Sequence, residues 1–321
     1  MKKVLEFWGN TPVKVIVLHR TIAPLNILEV PSNTNYIHCD FSYAKRADIA
    51  FKLIKTEYSI ICSDDEVYLI SALNDMVNTI AKNVKLKSIG GQCIAVSKYG
   101  NKIAASKAYI ELMNYSVESN DTTKRLEMHL LQNLRKTAVG GMYRLMRSDD
   151  MVCLLRIFSK TAGINSPYVF EATGEIYTAL IGNCTYLKNV YWIRNWDSEI
   201  ISTIDWDRNK NFSDWWFNSN NSNAREMWVK NIVQESKTDI NFLSLNIILN
   251  QYFLNQKLIE RKKYKRKKYI TIGFYNVKYH LRKKIPFMKQ VMVLESLLFD
   301  LNNEGLILNK EEVIKACGYI L

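Results

Sequence analysis

Short apolar runs alternate with helix-patterned segments over the first hundred residues, and no other feature of the sequence constrains the fold as strongly. Four of these runs are predicted strands: 13–18, 35–39, 57–62 and 93–96. Between them, apolar residues recur at helical spacing over 42–55 and again over 69–81, which predicts two helices. This alternation predicts an α/β fold with an open, mainly parallel sheet flanked by helices.

After residue 100 the pattern becomes more helical. Helical periodicity marks three further segments: 124–134, 149–158 and 167–181. Strands are predicted for two remaining apolar runs, 140–145 and 186–193. No Pro- or Ser-rich linker divides the chain. Because Asn, Asp and Trp crowd together between 197 and 223, we place a boundary there and predict an α/β domain over 1–200 and a mostly helical, basic region over 201–321.

The charge balance favours an anionic partner. Lys and Arg number 44 against 31 Asp and Glu, which gives a formal net charge of +13 and a pI near 9.3. Such a chain attracts nucleic acid, an anionic membrane surface or phosphorylated small molecules. The six cysteines show neither a C-x-x-C pair nor metal-ligand spacing, which is typical of buried thiols in a reducing compartment. No apolar stretch reaches about 18 residues, and the first residues are too charged for a signal peptide, so we expect a cytoplasmic protein.

Three consecutive acids, Asp64, Asp65 and Glu66, follow the predicted strand 57–62. In open α/β sheets, ligands bind at the carboxyl ends of the strands, where loops and helix N-termini meet. Neighbouring carboxylates repel one another there and lose hydration, and a divalent cation relieves this penalty. Mg²⁺ or Mn²⁺ is commonly held by one or two carboxylates together with the oxygens of a diphosphate. The alternative interpretation is that the acids favour the start of the next helix through capping and the helix dipole.

The segment from Arg46 to Glu66 resembles part of the family 2-like GT-A glycosyltransferases: a helix, a T-x-Y lead-in at Thr56-Glu57-Tyr58, a buried strand and a D-x-D-type motif. In those enzymes the first acid of the motif contacts the sugar-nucleotide, and the last coordinates the metal that bridges its diphosphate. The resemblance therefore implies donor contact for Asp64 and Asp65, and ligation of Mn²⁺ or Mg²⁺ by Glu66 together with Asp64. Glutamate replaces the usual final aspartate of the motif, and its extra methylene still permits ligation.

The resemblance extends more loosely over roughly the first 200 residues. The strand at 13–18 and the following His19-Arg20-Thr21 resemble the family's first strand and the turn that opens the nucleotide pocket. Asp40 is implied to contact the base of the donor, with a plain helix cap as the alternative. Arg194 is implied to contact the diphosphate through its planar fork, with a surface ion pair as the alternative.

The helix predicted over 167–181 resembles the acceptor-side helix of the family. In inverting members, a carboxylate near the start of that helix removes the proton of the acceptor hydroxyl as the hydroxyl attacks the anomeric carbon. Glu171 is the first candidate for this base and Glu175 the second. The alternative for either residue is an ordinary solvated position on the helix.

These features predict a metal-dependent, inverting, hexosyltransferase-type glycosyltransferase of polysaccharide biosynthesis. It would move a sugar from a nucleotide-diphosphate donor to a hydroxyl of a surface-glycan or lipid-linked acceptor. Two basic runs, 261–268 with seven cations in eight residues and 282–284, fit peripheral attachment to the anionic inner face of the membrane. A solvated lysine-rich loop is the alternative for these runs.

Two other functions stay open. A basic nucleic-acid-binding protein fits the high pI and the tyrosine within 261–268. That function is disfavoured because the charge is concentrated in the C-terminal part and no helix-turn-helix, zinc-finger or RNP-like motif occurs. The other is a catalytically inactive GT-A-like protein that binds the donor without turning it over, and donor turnover would distinguish it from an enzyme.

Overall fold

The computed structural model describes residues 2–20, 24–26, 30–39, 41–109, 115–133, 141–161, 164, 167–195, 212–259 and 292–321. These residues form a mixed α/β structure with a two-stranded sheet and an eight-stranded sheet. Among them, no helix combines the length and the apolar character needed to cross a membrane. The predicted α/β class is therefore confirmed.

The chain begins with a helix and a small parallel sheet. Its first four elements are α1 (Lys2–Gly9), β1 (Val15–His19), β2 (Thr34–His38) and α2 (Tyr43–Leu53). β1 and β2 pair in parallel at the positions predicted for the first two strands. Ser42 caps α2, because its Oγ accepts a hydrogen bond from the backbone N–H of Lys45 at 3.4 Å. The helix buries Ala44 and Ala47.

The segment around the three acids differs from the prediction. Its elements are β3 (Tyr58–Ser59), β4 (Glu66–Tyr68), α3 (Ile70–Lys82) and β5 (Leu86–Tyr99). The strand predicted over 57–62 is limited to two residues, and a short strand precedes the helix. β4 forms because Val67 and Tyr68 are fully buried, and the Tyr68 ring stacks on Tyr191 with ring centroids 5.3 Å apart. A helix that began at Glu66 would take these side chains out of the sheet.

The middle of the chain supplies most of the larger sheet. Its elements are β6 (Lys102–Ala108), β7 (Ser116–Val117), α4 (Thr122–Leu126), a π-helix (Glu127–Asn133), a 3₁₀ turn (Gly141–Tyr143), β8 (Leu145–Arg147), α5 (Ser148–Lys160), α6 (Pro167–Ile181) and β9 (Asn183–Asn195). The helices predicted over 149–158 and 167–181 and the strand over 186–193 are confirmed. The strand predicted over 140–145 is instead the 3₁₀ turn that leads into β8. β6 was not predicted, because its alanine- and lysine-rich sequence lacks a clear apolar alternation.

Two long strands organise the larger sheet. β5 and β9 pair in parallel at its centre. β6 and β8 pair antiparallel with the other edge of β5, while β4 and β7 pair antiparallel with the other edge of β9. β3 then pairs antiparallel with β8. The sheet is therefore mixed, with a parallel centre and antiparallel neighbours, where the sequence predicted mainly parallel strands. The antiparallel neighbours β4, β7 and β8 are two or three residues long, too short to show a period.

The C-terminal part is mostly helical, as predicted. Its elements are α7 (Phe212–Phe217), a 3₁₀ turn (Ser219–Asn221), α8 (Ser222–Ser236), α9 (242–259), β10 (Met292–Val293), α10 (Leu294–Asn303) and α11 (Lys310–Ile320). β10 pairs antiparallel with β6, so the end of the chain joins the larger sheet.

Two buried apolar clusters hold these elements together. The first joins β4, β5 and β9 to α1, α3, α10 and α11, and the second joins α2, α5, α6, α8 and α9. Glu312 of α11 also caps α3, because its Oε1 accepts a hydrogen bond from the backbone N–H of Ile70 at 2.5 Å. The region after residue 201 thus contributes to both clusters. The domain boundary predicted near residue 200 lies outside the described residues and stays a prediction.

Candidate functional site

Glu66 is a buried carboxylate that pairs with an arginine on the neighbouring strand. β4 and β9 run antiparallel with Glu66 opposite Arg194, and Glu66 Oε1 lies 3.5 Å from Arg194 Nε. Only 2% of Glu66 is exposed. Burial raises the pKa of Glu66 to about 7, although Arg194 lowers it and Asp65 raises it further. Arg194 therefore supplies part of the positive charge that the acidic cluster needs.

The second carboxylate oxygen of Glu66 has no such compensation. Glu66 Oε2 is buried without a hydrogen-bond partner in the described part of the chain, and the same is true of the indole Nε1 of Trp192. Trp192 and Ser63 lie close enough to lower the pKa of Glu66, but neither satisfies Oε2 with hydrogen-bond geometry. Because a buried polar atom without a partner is costly, the burial of Oε2 contributes to the raised pKa of Glu66.

The three neighbouring acids occupy different environments. Asp64 is exposed and Asp65 is half-buried, and the carbonyl oxygen of Asp65 accepts a hydrogen bond from the backbone N–H of Asn195 at 3.2 Å. Burial lowers the pKa of both His19 and Arg46, and the charge of Asp64 partly opposes this shift. Asp64 is therefore within electrostatic reach of His19 and Arg46, while Glu66 lies opposite Arg194 on β9.

The carboxyl end of β1 contributes polar groups to the same region. His19 is the last residue of this strand, and its Nδ1 lies 2.6 Å from the hydroxyl of Tyr36 on β2. Arg46 Nη1 donates to the carbonyl oxygen of Leu18 at 3.5 Å, while Arg46 Nε is buried without a partner among the described residues. The turn at His19, which the sequence associated with a nucleotide pocket, therefore lies within electrostatic reach of Asp64.

Glu171 lies near the start of α6, the helix that the sequence analysis associated with the acceptor. It is half-buried, and burial raises its pKa to about 7, with Glu175 raising it further and Arg194 lowering it. Burial raises the pKa of three tyrosines, and the charge of Glu171 adds a smaller contribution: Tyr43, Tyr109 and Tyr143. Arg194 therefore acts electrostatically on both Glu66 and Glu171.

Glu175 has a different environment, although it is one helical turn further along α6. Its Oε2 lies 2.7 Å from His129 Nε2 and 3.4 Å from Arg144 Nη2, and its Oε1 accepts a hydrogen bond from the Gly141 backbone N–H. Burial alone would raise the pKa of Glu175, but Arg144, His129 and Gly141 lower it below the ordinary value. Glu175 is fully buried, so Glu171 is the more accessible of the two predicted bases.

Aromatic rings hold Arg194 in place. Arg194 Nη1 donates to the hydroxyl of Tyr109, and the Tyr109 ring stacks on Trp192 with centroids 5.3 Å apart. Tyr109 has a φ of +55°, a left-handed conformation that is uncommon outside glycine and clusters at functional sites. The sequence analysis did not find Tyr109 or Tyr143, because single tyrosines in irregular segments give no spacing signal.

Several predicted positions lie outside the described residues. These are Asp40 and the basic runs 261–268 and 282–284. Within the residues that are described, no group of three or more His, Cys, Asp or Glu side chains is arranged to hold a metal ion. Mg²⁺ and Mn²⁺ sites often rely on one or two carboxylates completed by substrate oxygens and water, so this finding leaves the predicted metal site untested.

Comparison of the chain with known protein families and with curated proteins finds no matching family model and no matching protein.

Proposed function

We propose that the protein is a metal-assisted glycosyltransferase that moves a sugar from a nucleotide-diphosphate donor to a hydroxyl of a surface-glycan or lipid-linked acceptor. One observation carries this proposal: Arg194, which pairs with Glu66, also lowers the pKa of Glu171 on another element. A half-buried carboxylate within electrostatic reach of a guanidinium offers a base for a hydroxyl and a cation for a diphosphate.

Glu171 is the proposed general base. At a pKa near 7 it is partly ionised at neutral pH and holds a proton more strongly than an ordinary glutamate. It accepts the proton of the acceptor hydroxyl while that oxygen forms a bond to the anomeric carbon. The bond from the anomeric carbon to the diphosphate breaks, and its electron pair leaves with the nucleoside diphosphate. Attack from the face opposite the leaving group inverts the anomeric centre.

The remaining charged residues are proposed to bind the donor. Arg194 contacts the diphosphate through its planar guanidinium, which suits phosphate oxygens. Asp64, Asp65 and Asp40 contact the nucleotide part. This assignment for Asp64 is supported by its proximity to His19 and Arg46 at the end of β1.

The acidic cluster fits a hard cation. Asp64 is exposed, and Glu66 Oε2 is a buried oxygen without a protein partner in the described part of the chain. Oxygen ligands of this kind suit Mg²⁺ or Mn²⁺. Asp64 and Glu66 would hold the ion together with donor oxygens. When bound, the cation neutralises negative charge on the departing diphosphate.

Thermal unfolding with a panel of nucleoside-diphosphate sugars tests donor binding. With Mn²⁺ or Mg²⁺ present, one donor class should raise the unfolding temperature of the wild-type protein, and EDTA should abolish this shift. Asp64→Asn should also abolish it. Glu226→Gln is the matched control, because Glu226 is an exposed helix residue paired with Lys230.

Two outcomes would count against the enzyme. If no sugar nucleotide stabilises the wild-type protein with metal, or if the Asp64→Asn variant responds as the wild type does, the proposed donor site is wrong. Metal-dependent stabilisation without release of nucleoside diphosphate would instead support an inactive, binding-only protein.

A further inference from the structure

Helix α9 has two apolar faces. One is buried in the second apolar cluster and is formed by Leu245, Ile248, Leu249, Tyr252 and Phe253. The opposite face carries four exposed aliphatic side chains, with exposed fractions of 69% for Leu243, 67% for Ile247, 46% for Leu254 and 48% for Leu258. At about 100° per residue, these four positions lie within roughly 60° of one another on the helix. We call them the α9 stripe.

The α9 stripe consists of two i, i+4 pairs, which the polar residues Asn250 and Gln251 separate on this face of the helix. Its members extend over residues 243–258, which corresponds to roughly 22 Å of helix axis. At one end of this helix, Lys257 Nζ lies 5.1 Å from the ring centroid of Phe217, another exposed apolar residue. Isolated exposed leucines are common on proteins, but an aligned row on an otherwise packed helix marks an interaction surface.

The charges near the stripe indicate what it contacts. Residues 240–259 contain no acidic side chain and a single basic one, Lys257. In the sequence, the chain continues after Glu260 with seven cations at 261–268. A partner must therefore accept aliphatic side chains and also attract positive charge. An anionic bilayer has both properties, because its acyl chains lie directly beneath negatively charged headgroups.

A second copy of the chain fits the stripe less well. Pairing two stripes around a twofold axis would bring the same surface of each copy together. Each copy carries a net charge of +13, with its most basic run attached to this helix. The two positively charged copies would then repel one another, whereas an anionic lipid surface attracts each of them.

We propose that the α9 stripe docks the protein on an anionic lipid surface. Leu243, Ile247, Leu254 and Leu258 enter the region between headgroups and acyl chains, and the helix axis lies parallel to the membrane plane. The basic sequence after the helix contributes electrostatic attraction. The role of this docking rests on the proposed function, since it would keep the enzyme near a lipid-linked acceptor, but the docking itself requires no donor.

Co-sedimentation of the full chain with vesicles tests the proposal. Vesicles of phosphatidylcholine with phosphatidylglycerol should bind the wild-type protein, while vesicles of phosphatidylcholine alone should not. Leu254→Ser/Leu258→Ser should weaken binding to the anionic vesicles at least tenfold. A second variant, Ile247→Gln/Leu254→Gln, should act in the same way. Because these side chains are exposed, both variants should keep the far-ultraviolet circular dichroism of the wild type.

A control on another surface makes the test specific. Phe299→Ser/Ile314→Ser removes two exposed apolar side chains from α10 and α11 and should leave vesicle binding unchanged. Wild-type binding by both stripe variants would overturn the proposal, as would the absence of any binding to anionic vesicles. A stripe variant that converts a dimer into a monomer in light scattering would assign the stripe to a second copy instead. Because no sugar nucleotide is present, none of these results depends on the proposed transferase activity.

Discussion

At the scale of single residues, the site depends on what compensates each buried charge. Glu171 and Glu175 lie on the same helix, yet burial raises the pKa of Glu171 to about 7 while charged neighbours lower that of Glu175. Both residues were candidate bases in the sequence analysis, because the sequence shows their positions on the predicted helix but not their contacts. Only the contacts of Glu175 with His129 and Arg144 distinguish this fully buried, ion-paired carboxylate from the half-buried Glu171.

The first prediction concerns this buried ionic network. Glu175→Gln should reduce the free energy of unfolding by about 3–5 kcal/mol, because it leaves the charge of Arg144 buried without its carboxylate. Urea-induced unfolding measures this change. Glu226→Gln, which breaks an exposed pair on α8, should cost about 0.3–0.5 kcal/mol at most. Equal losses in the two variants would contradict the described role of Glu175.

The same network predicts how stability depends on pH. Because the native-state pKa of Glu175 lies below the ordinary value of 4.5, the unfolded chain binds this proton first as the pH falls. The stability contributed by ionised Glu175 is present above about pH 4.5 and is lost as the pH falls through the native-state pKa. One such group changes the free energy of unfolding by up to about 1.4 kcal/mol per pH unit. The Gln variant should lack this part of the acid slope, and an identical slope would contradict the account.

At the scale of secondary structure, the long periodic elements were predictable and the short ones were not. The strand β1 and the helices α2, α5 and α6 have enough apolar positions to show a period. β4 has only three residues, and its strand conformation depends on pairing with β9. For that reason the sequence predicted the helix over 69–81, which α3 confirms, but not the strand that begins at Glu66 opposite Arg194.

A further prediction concerns the contact between α6 and the 3₁₀ turn before β8. A Cβ added at Gly141 would lie 2.6 Å from the backbone N of Glu175 and 2.6 Å from the backbone C of Gly174. Backbone atoms cannot rotate away, so Gly141→Ala should destabilise the protein by about 1–3 kcal/mol. Thermal unfolding measures the effect.

Gly318 provides the matched control for this substitution. It lies within α11, and an added Cβ would meet nothing within 4 Å. Gly318→Ala should therefore stabilise the protein, by up to about 1 kcal/mol, through its helix propensity. If both alanine variants changed stability in the same direction, close backbone packing at Gly141 would not be the cause.

At the scale of the whole molecule, elements distant in the sequence surround one site. Glu66 comes from β4, Glu171 from α6 and Arg194 from β9, and α11 near the C-terminus caps the helix that follows β4. The order of the predicted strands and helices was enough to predict that the acids lie next to the sheet. Their partners could not be predicted, because the pairing of β4 with β9 is a long-range contact that no local pattern records.

The rate of nucleoside diphosphate release tests the central claim most directly. It should be measured near neutral pH with metal, the donor that stabilises the protein and a panel of saccharide acceptors. Glu171→Gln should lower kcat by about 10²–10⁴-fold, because it removes the proposed base, while donor-induced thermal stabilisation persists. Glu226→Gln should retain the wild-type rate. Release by the Glu171→Gln variant at the wild-type rate would contradict the account.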